Sequence, residues 1–172
     1  NILADRGNSI IFRFATVFGV SPRMRLDLLV NEFVYKALTD KYITIFERKA
    51  VRNYIHIRDV ADVFSFMVDN QVSYKGDIFN VGLSNANINK QQLAELIKKY
   101  ISDFAITYSD YYEDPDKRDY IVSNEKIEST GWLPKYTLHD GIKELIMAYQ
   151  IIINNDTSHF RNGFPLTYGA AL

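Results

Sequence analysis

The most constraining feature of the sequence is the alternation of short β-branched and aromatic runs with longer segments of helical periodicity. Residues 9–16 (SIIFRFAT) follow a Gly-Asn turn signal and predict a buried strand. Apolar residues recur at helical spacing from Leu26 onward, and again after Asp59 and after Thr137. Strands that alternate with helices are typical of α/β proteins, so we expect that fold class.

Several helix starts carry local signals. Asn89 and Gln92, and later Thr137 and Asp140, have the spacing of a capping box, in which each side chain bonds the backbone N–H of the other residue. Asp59 is predicted to cap the helix that follows it. The inner face of that helix is predicted to comprise Val60, Val63, Phe64, Met67 and Val68.

Composition excludes some classes of protein. The chain has 20 Lys and Arg against 21 Asp and Glu, which argues against a broad basic face for nucleic acid. It has no cysteine, so disulfides, thiolate metal sites and a cysteine nucleophile are excluded. No apolar run approaches the roughly 18 residues of a membrane span. We therefore expect neither a nucleic-acid partner nor a membrane partner.

Familiar catalytic motifs do not occur in the sequence. No glycine falls in a G-x-G-x-x-G pattern, and none of the 12 tyrosines is followed four residues later by lysine. The histidines, at positions 56, 139 and 159, lack metal-ligand spacing and are interpreted as structural or surface residues. The chain is therefore predicted to hold no metal and no complete catalytic set.

Two arginines occupy unusual settings. Arg52 lies just before a predicted strand, and Arg118 lies in the polar, aromatic stretch between Tyr111 and Tyr120. A guanidinium can bond two phosphate oxygens through its planar fork, so both arginines are candidates for an anion site, although the local sequence by itself favours ordinary ion pairs. The alternative is that both arginines form ordinary surface ion pairs with adjacent aspartates.

Five sequence blocks in a fixed order resemble the C-terminal half of extended short-chain dehydrogenase/reductase enzymes. The blocks are RFATVFG, SPRMRLDLLVNEFV, RNYIHIRDVADVF, DIFNVG and KRDYIVSNEKIESTGWLPKYTLHDGIKEL. Within that group they resemble the NAD-dependent nucleotide-sugar epimerase/dehydratase family. The resemblance extends from about Ser9 to Tyr149.

The resemblance implies an α/β chain made of the late strands and a helix of a Rossmann fold plus the small C-terminal substrate-binding lobe. Residues 1–22 would end the Rossmann domain, and residues 23–51 would form the helix and connection of the substrate lobe. Residues 52–83 would return to the Rossmann sheet, and residues 84–172 would form the C-terminal lobe.

The resemblance also implies roles for individual residues. Arg52 and Arg118 match the arginines that hold the nucleotide diphosphate from two sides, and Asn80 matches an asparagine next to the nucleotide. Asn31 faces the same cleft or contacts a helix of the N-terminal half. Thr16 stands where many sugar-nucleotide enzymes have Asn, and Val20 stands where they have Pro. Residues implied at the cofactor are Phe14 and Val17.

By resemblance, the chain is the substrate-binding part of an enzyme that uses NAD or NADP to epimerise or dehydrate a nucleotide-diphosphate sugar. The family's cofactor loop and catalytic Tyr-x-x-x-Lys pair come earlier in such proteins, so no catalytic residue is predicted here. The complete enzyme is expected to be a cytoplasmic homodimer. The alternatives are a reductase of keto-sugar nucleotides and a non-catalytic α/β binding module.

Overall fold

The structure of the chain, a computed structural model, describes residues 8–109 and 119–153. The strands are β1 (Ile11–Phe14), β2 (Thr16–Phe18), β3 (Tyr42–Phe46), β4 (Val51–Arg52), β5 (Tyr54–His56), β6 (Ile78–Val81), β7 (Ile88–Asn89) and β8 (Ala105–Ser109). The helices are α1 (Leu29–Thr39), α2 (Ile57–Asp69), α3 (Gln71–Tyr74), α4 (Lys90–Lys98), α5 (Glu125–Glu128) and α6 (Leu138–Ile152). Arg118 and most of the polar stretch around it lie outside the described residues.

Strands β1 and β2 are two parts of one extended run that changes partner at Ala15. β1 is parallel to β6, and β2 is parallel to β5. The N–H of Ala15 donates to Val81 O at 2.9 Å, and the next N–H, of Thr16, donates to Asn53 O at 3.0 Å. Because successive amides of an extended chain point to opposite edges, β6 and β5 lie on opposite sides of this run. The single strand predicted over residues 9–16 is therefore two strands.

The remaining strands form two further pairs. β3 is parallel to β8, and the short strands β4 and β7 are antiparallel. Parallel pairing requires crossover connections, and the intervening helices provide them. The architecture is α/β, which confirms the predicted fold class.

The core lies between the strands and helices α1, α4 and α6. Fully buried side chains on the facing surfaces of the helices include Val34, Ala37, Leu93, Ile142, Leu145 and Tyr149. Helix α1 packs closely against α6, where the rings of Tyr35 and Tyr149 meet edge to face at 5.5 Å. Within the two described ranges, no helix combines the length and the apolar character that crossing a bilayer requires.

Both predicted capping boxes are confirmed. The Asn89 side chain accepts from Gln92 N–H at 2.8 Å, while the Gln92 side chain accepts from Asn89 N–H at 2.9 Å. Thr137 and Asp140 make the same reciprocal pair at 3.2 and 3.0 Å. Helices α4 and α6 therefore begin where the sequence predicts.

The prediction that Asp59 caps α2 is wrong. The N-cap residue is His56, whose Nδ1 accepts from the backbone N–H of Arg58 at 3.2 Å. Asp59 lies inside the first helical turn, fully buried, and accepts from the backbone amides of Lys135 and Tyr136 at 2.9 and 3.1 Å. The Asp59 carboxylate bonds residues that are distant in sequence because the segment before α6 packs over the N-terminal end of α2.

The inner face predicted for α2 is also only partly correct. Val63 and Met67 are buried, but Phe64 is 50% exposed and Val68 is 65% exposed. Phe64 contacts the rings of Phe12 and Phe14 at 5.1 and 5.6 Å from one side only. Helical spacing correctly identified the apolar positions of α2, but neighbouring elements cover only part of the face that these positions form.

Candidate functional site

Arg52 is a buried cation at the end of the short strand β4. Only 2% of the residue is exposed. Its Nη1 donates to Val51 O at 3.1 Å, and its guanidinium carbon lies 5.7 Å from the centre of the Tyr120 ring. A buried guanidinium is costly unless it is well paired, and the stacked ring accounts for part of its stabilisation. Arg52 therefore lies in the interior, whereas the alternative prediction placed it at the surface.

The chain that follows Arg118 is fixed beside Arg52. The Asp119 carboxylate accepts from Val51 N–H at 2.9 Å, and Tyr120 N–H donates to Val51 O at 3.3 Å. Two residues further on, Val122 N–H donates to the side chain of Asn87 at 2.9 Å. Arg118 itself lies outside the described residues, so its predicted convergence with Arg52 stays a prediction.

Tyr54 places a neutral phenol next to Arg52. The residue is fully buried, and its hydroxyl has no hydrogen-bond partner among the described residues. Burial raises the pKa of the Tyr54 hydroxyl, and the nearby charge of Arg52 offsets part of that rise. The phenol therefore keeps its proton at neutral pH and remains a potential donor. The sequence analysis did not single out Tyr54, although it belongs to the same block as Arg52.

Asn53 joins the end of β6 to the start of β5. Its Nδ2 donates to Leu83 O at 2.8 Å, and its Oδ1 accepts from Leu83 N–H at 3.2 Å. The contact leaves no room for a side chain at Gly82, where a Cβ would lie 1.9 Å from Asn53 Oδ1. The carboxyl end of β6 is thereby held next to Ala15, where the extended run changes partner. In α/β proteins, ligands bind outside the carboxyl ends of the parallel strands.

The other residues that the sequence predicts at the substrate and the cofactor, apart from Asn31, fall in three places. Thr16 lies at this junction, paired in register with Tyr54, and Val17 follows it in β2. Asn80 donates to Ser123 O at 3.3 Å, which links β6 to the segment after Arg118. Phe14 packs on the α2 side, with its ring centre 5.5 Å from that of Phe12.

Asn31 stands apart from that junction, in helix α1. It is 1% exposed, its Oδ1 accepts from Gly19 N–H at 3.1 Å, and its Nδ2 donates to Arg25 O at 2.9 Å. Its own carbonyl accepts from the Tyr149 hydroxyl at 3.1 Å. Both ends of the Asn31 side-chain amide are therefore hydrogen-bonded to backbone groups of the loop that follows β2.

A cluster of polar side chains around buried His56, at the carboxyl end of β5, has no counterpart in the sequence prediction. His56 is fully buried, and its Nε2 lies 2.8 Å from Glu144 Oε2, while Arg58 donates to the other Glu144 oxygen at 2.7 Å. Since His56 Nδ1 accepts from Arg58 N–H, the ring proton lies on Nε2 and is donated to Glu144. The Tyr136 ring stacks on His56 at 4.6 Å. No local signal reveals this cluster, because Glu144 is 88 positions away from His56.

Comparisons with known proteins identify chains to which this one is similar. The model of the "NAD dependent epimerase/dehydratase family" matches residues 4–82. UDP-D-apiose/UDP-D-xylose synthase 2 of Arabidopsis thaliana is 32% identical in an alignment of 116 residues, and the match covers 58% of this chain and 29% of that protein. The dTDP-D-glucose 4,6-dehydratase of Bos taurus is 32% identical in an alignment of 111 residues, and the match covers 60% of this chain and 30% of that protein.

A solved structure is similar to this chain in its fold. The dTDP-glucose 4,6-dehydratase of Bacillus anthracis, determined in complex with NAD, has a TM-score of 0.65 at 25% identity. The match covers 83% of this chain and 45% of that one. This chain thus spans about a third or less of the curated relatives it matches and just under half of the solved structure.

Proposed function

We propose that the chain, which is similar to members of the NAD-dependent epimerase/dehydratase family, is the C-terminal, substrate-binding part of an enzyme that epimerises or dehydrates a nucleotide-diphosphate sugar. The observation that carries the proposal is the buried guanidinium of Arg52, held against Tyr120 beside the segment that follows Arg118. A preorganised guanidinium binds a diphosphate at a low cost in side-chain entropy.

Binding at this place supplies orientation rather than chemistry. With its nucleotide and diphosphate fixed, a sugar has few positions left relative to a cofactor, and that restriction lowers the barrier of the chemical step. Arg52 would hold the diphosphate from the β4 side, Arg118 would hold it from the following segment, and Asn80 would lie beside the nucleotide. Thr16, at the strand junction, would face the sugar.

NAD or NADP is the cofactor implied for the complete enzyme, and the residues of this chain fit one side of it. Phe14 and Val17 are both partly buried and offer apolar surface near the strand junction, whereas the sequence contains no glycine loop for a pyrophosphate. The chemistry that NAD or NADP would supply, when bound, is reversible hydride transfer at the sugar. The contribution of Phe14 and Val17 would be to line the cofactor and to exclude water.

The domain boundaries of the proposal follow from the same family resemblance. Residues 1–22 and 52–83 would complete the dinucleotide-binding sheet, and residues 23–51 and 84–172 would form the substrate lobe. A keto-sugar-nucleotide reductase would use the same binding residues. A non-catalytic module would bind the nucleotide sugar with no conversion.

The test is to replace Arg52 and Arg118 singly by Ala in the complete enzyme. Each change is expected to raise KM for the nucleotide sugar between about tenfold and a few hundredfold, since a charge-assisted hydrogen bond contributes about 1.5–3 kcal/mol. The NAD content should stay unchanged, because neither arginine is assigned to the cofactor.

Arg48→Ala is the matched control. Arg48 is an exposed arginine that also lies over an aromatic ring, with its guanidinium 5.2 Å from the centre of Tyr108. Its removal should leave KM unchanged. Equal KM values for all three variants and the parent would overturn the proposed diphosphate site, and product analysis would separate epimerase, dehydratase and reductase.

A further inference from the structure

A single buried side chain fixes both ends of the loop formed by residues 19–25. Asn31 Oδ1 accepts from Gly19 N–H at 3.1 Å, at the start of the loop. Asn31 Nδ2 donates to Arg25 O at 2.9 Å, at its end. Asn31 is 1% exposed, so both bonds are shielded from competing water. The loop therefore has two fixed points on one rigid helix, α1.

The start of the loop is restrained from its other side as well. Gly19 has φ +110°, and a Cβ built on it would lie 2.6 Å from His56 Nε2. His56 cannot move aside easily, because it bonds Glu144 at 2.8 Å and caps α2 through Arg58 N–H. Gly19 thus lies between Asn31 and His56, bonded to the first and with no room for a side chain against the second.

The position of the loop gives this restraint a function. The loop leaves the carboxyl end of β2, which is parallel to β5, and the carboxyl ends of parallel strands are where α/β proteins bind ligands. The loop also contains Ser21 and Arg23, residue types that bind phosphate, whereas the guanidinium of Arg25 is paired with the Asp27 carboxylate, with Nε 2.9 Å from Oδ1.

We propose that Asn31 is a positioning residue that holds loop 19–25 as one wall of the nucleotide-sugar site and does not itself contact the ligand. The inference rests on the proposed function, since the ligand class comes from it. It differs from the role that the family resemblance implies for Asn31, a residue facing the ligand cleft. An amide that is buried and bonded at both ends has little capacity left for a ligand.

The experiment combines amide hydrogen exchange in the 172-residue chain with kinetics of the complete enzyme. Asn31→Ala is expected to speed exchange of the Gly19 amide about tenfold, because one hydrogen bond is lost. It should also raise KM for the nucleotide sugar about fivefold or more, as expected when binding geometry is loosened. Asn31→Asp retains the acceptor for Gly19 and loses the donor to Arg25, so it should preserve Gly19 protection and raise KM less.

Tyr149→Phe is the matched control. It removes the third hydrogen bond of Asn31, from the Tyr149 hydroxyl to its carbonyl, and leaves both bonds to the loop intact. Gly19 exchange and KM should stay at parent values even though some stability is lost. This separates release of the loop from general destabilisation, and Asn31→Asp serves if Asn31→Ala does not fold.

Each contrary outcome has a definite meaning. In Asn31→Ala, a higher KM with unchanged Gly19 exchange would make Asn31 a direct ligand contact and overturn the inference; where Asn31→Asp is used instead, an unchanged KM overturns it. Faster exchange with unchanged KM would show that the loop is not part of the site, which also overturns it. If Arg52→Ala raises KM and Asn31→Ala does not, only this inference fails. If neither raises KM, the proposed function fails with it.

Discussion

At the scale of single residues, His56 determines the shape of the carboxyl end of β5. Its Nδ1 caps α2, its Nε2 bonds Glu144 on α6, and its ring stacks on Tyr136. A fully buried imidazole with both nitrogens bonded has one tautomer and one orientation. The backbone of Gly19 rests against this fixed ring, which explains why a residue without a side chain stands there.

Gly19→Ala tests that contact. We expect it to lower the free energy of unfolding by about 2–4 kcal/mol, because positive φ is costly for Ala and the Cβ would overlap a ring that cannot move. Gly131→Ala is the control, since Gly131 also has positive φ, +89°, but has nothing within 4 Å of the added Cβ. That change should cost only about 1 kcal/mol. Urea unfolding measures both, and equal losses would show that the His56 contact is unimportant.

At the scale of elements, α2 is attached to the segment before α6 by two aspartates one turn apart. Asp59 accepts two backbone amides, and Asp62 accepts from Trp132 Nε1 at 2.8 Å and from Lys135 Nζ at 2.6 Å. The hydrogen bond from Lys135, and then that from Trp132, hold the pKa of the Asp62 carboxyl below its ordinary value of 3.8. These bonds orient the chain as it enters α6, the helix that carries Glu144.

Asp62→Asn is therefore expected to lower Tm by about 2–4 °C at pH 7. Since the pKa of Asp62 is lower in the folded state than in the unfolded state, its stabilisation is complete above the ordinary value and is lost as the pH falls through the folded value. The difference in Tm between parent and variant should thus shrink below about pH 4.

Asp69→Asn provides the comparison for Asp62. Asp69 is an exposed aspartate at the C-terminal end of the same helix, where the helix dipole disfavours negative charge. Its replacement should leave Tm at pH 7 unchanged or slightly higher. A constant Tm difference for Asp62→Asn from pH 7 to pH 3 would contradict the assigned role of the carboxylate.

At the scale of the whole molecule, part of the surface remains apolar. The exposed α2 patch, defined here as Phe64 and Val68 of α2 together with Val72 of the adjoining α3, has exposed fractions of 50%, 65% and 82%. Beside it is a cavity of about 210 Å³ lined in part by Ile10, Phe12 and Met67. Among the described strands, β1 pairs with β6 alone, so one edge of β1 is open next to this patch. Parallel sheets are normally covered on both faces, which makes such a surface prone to association.

The chain by itself is therefore expected to self-associate as its concentration rises. Replacing Phe64 and Val68 together by Gln should increase the monomer fraction, because exposed apolar area is removed at little cost to the core. Met147→Gln, at a 61% exposed position on α6, is the control and should leave association unchanged. Light scattering over a concentration series measures all three proteins. Equal association of the double variant and the parent would exclude the exposed α2 patch as the contact.

The sequence by itself determined those features that depend on neighbouring residues. The alternation of strands and helices and both capping boxes could be read from it, since caps join groups three positions apart along the chain. The family blocks also named Arg52 and Asn31 as residues of interest. Local patterns could not show their surroundings, because side chains such as Arg52 and Tyr120, 68 positions apart, or His56 and Glu144, 88 positions apart, meet only after folding.

The tertiary structure alone decided which groups each of these residues meets. It buried Arg52 against Tyr120, gave the cap of α2 to His56 instead of Asp59, and left Phe64 half exposed. It also turned the Asn31 amide onto the backbone of loop 19–25. The physical reason is the same in each case. Burial and long-range hydrogen bonds are set by how helices pack on strands, and helical periodicity specifies which residues share a face but not what covers that face.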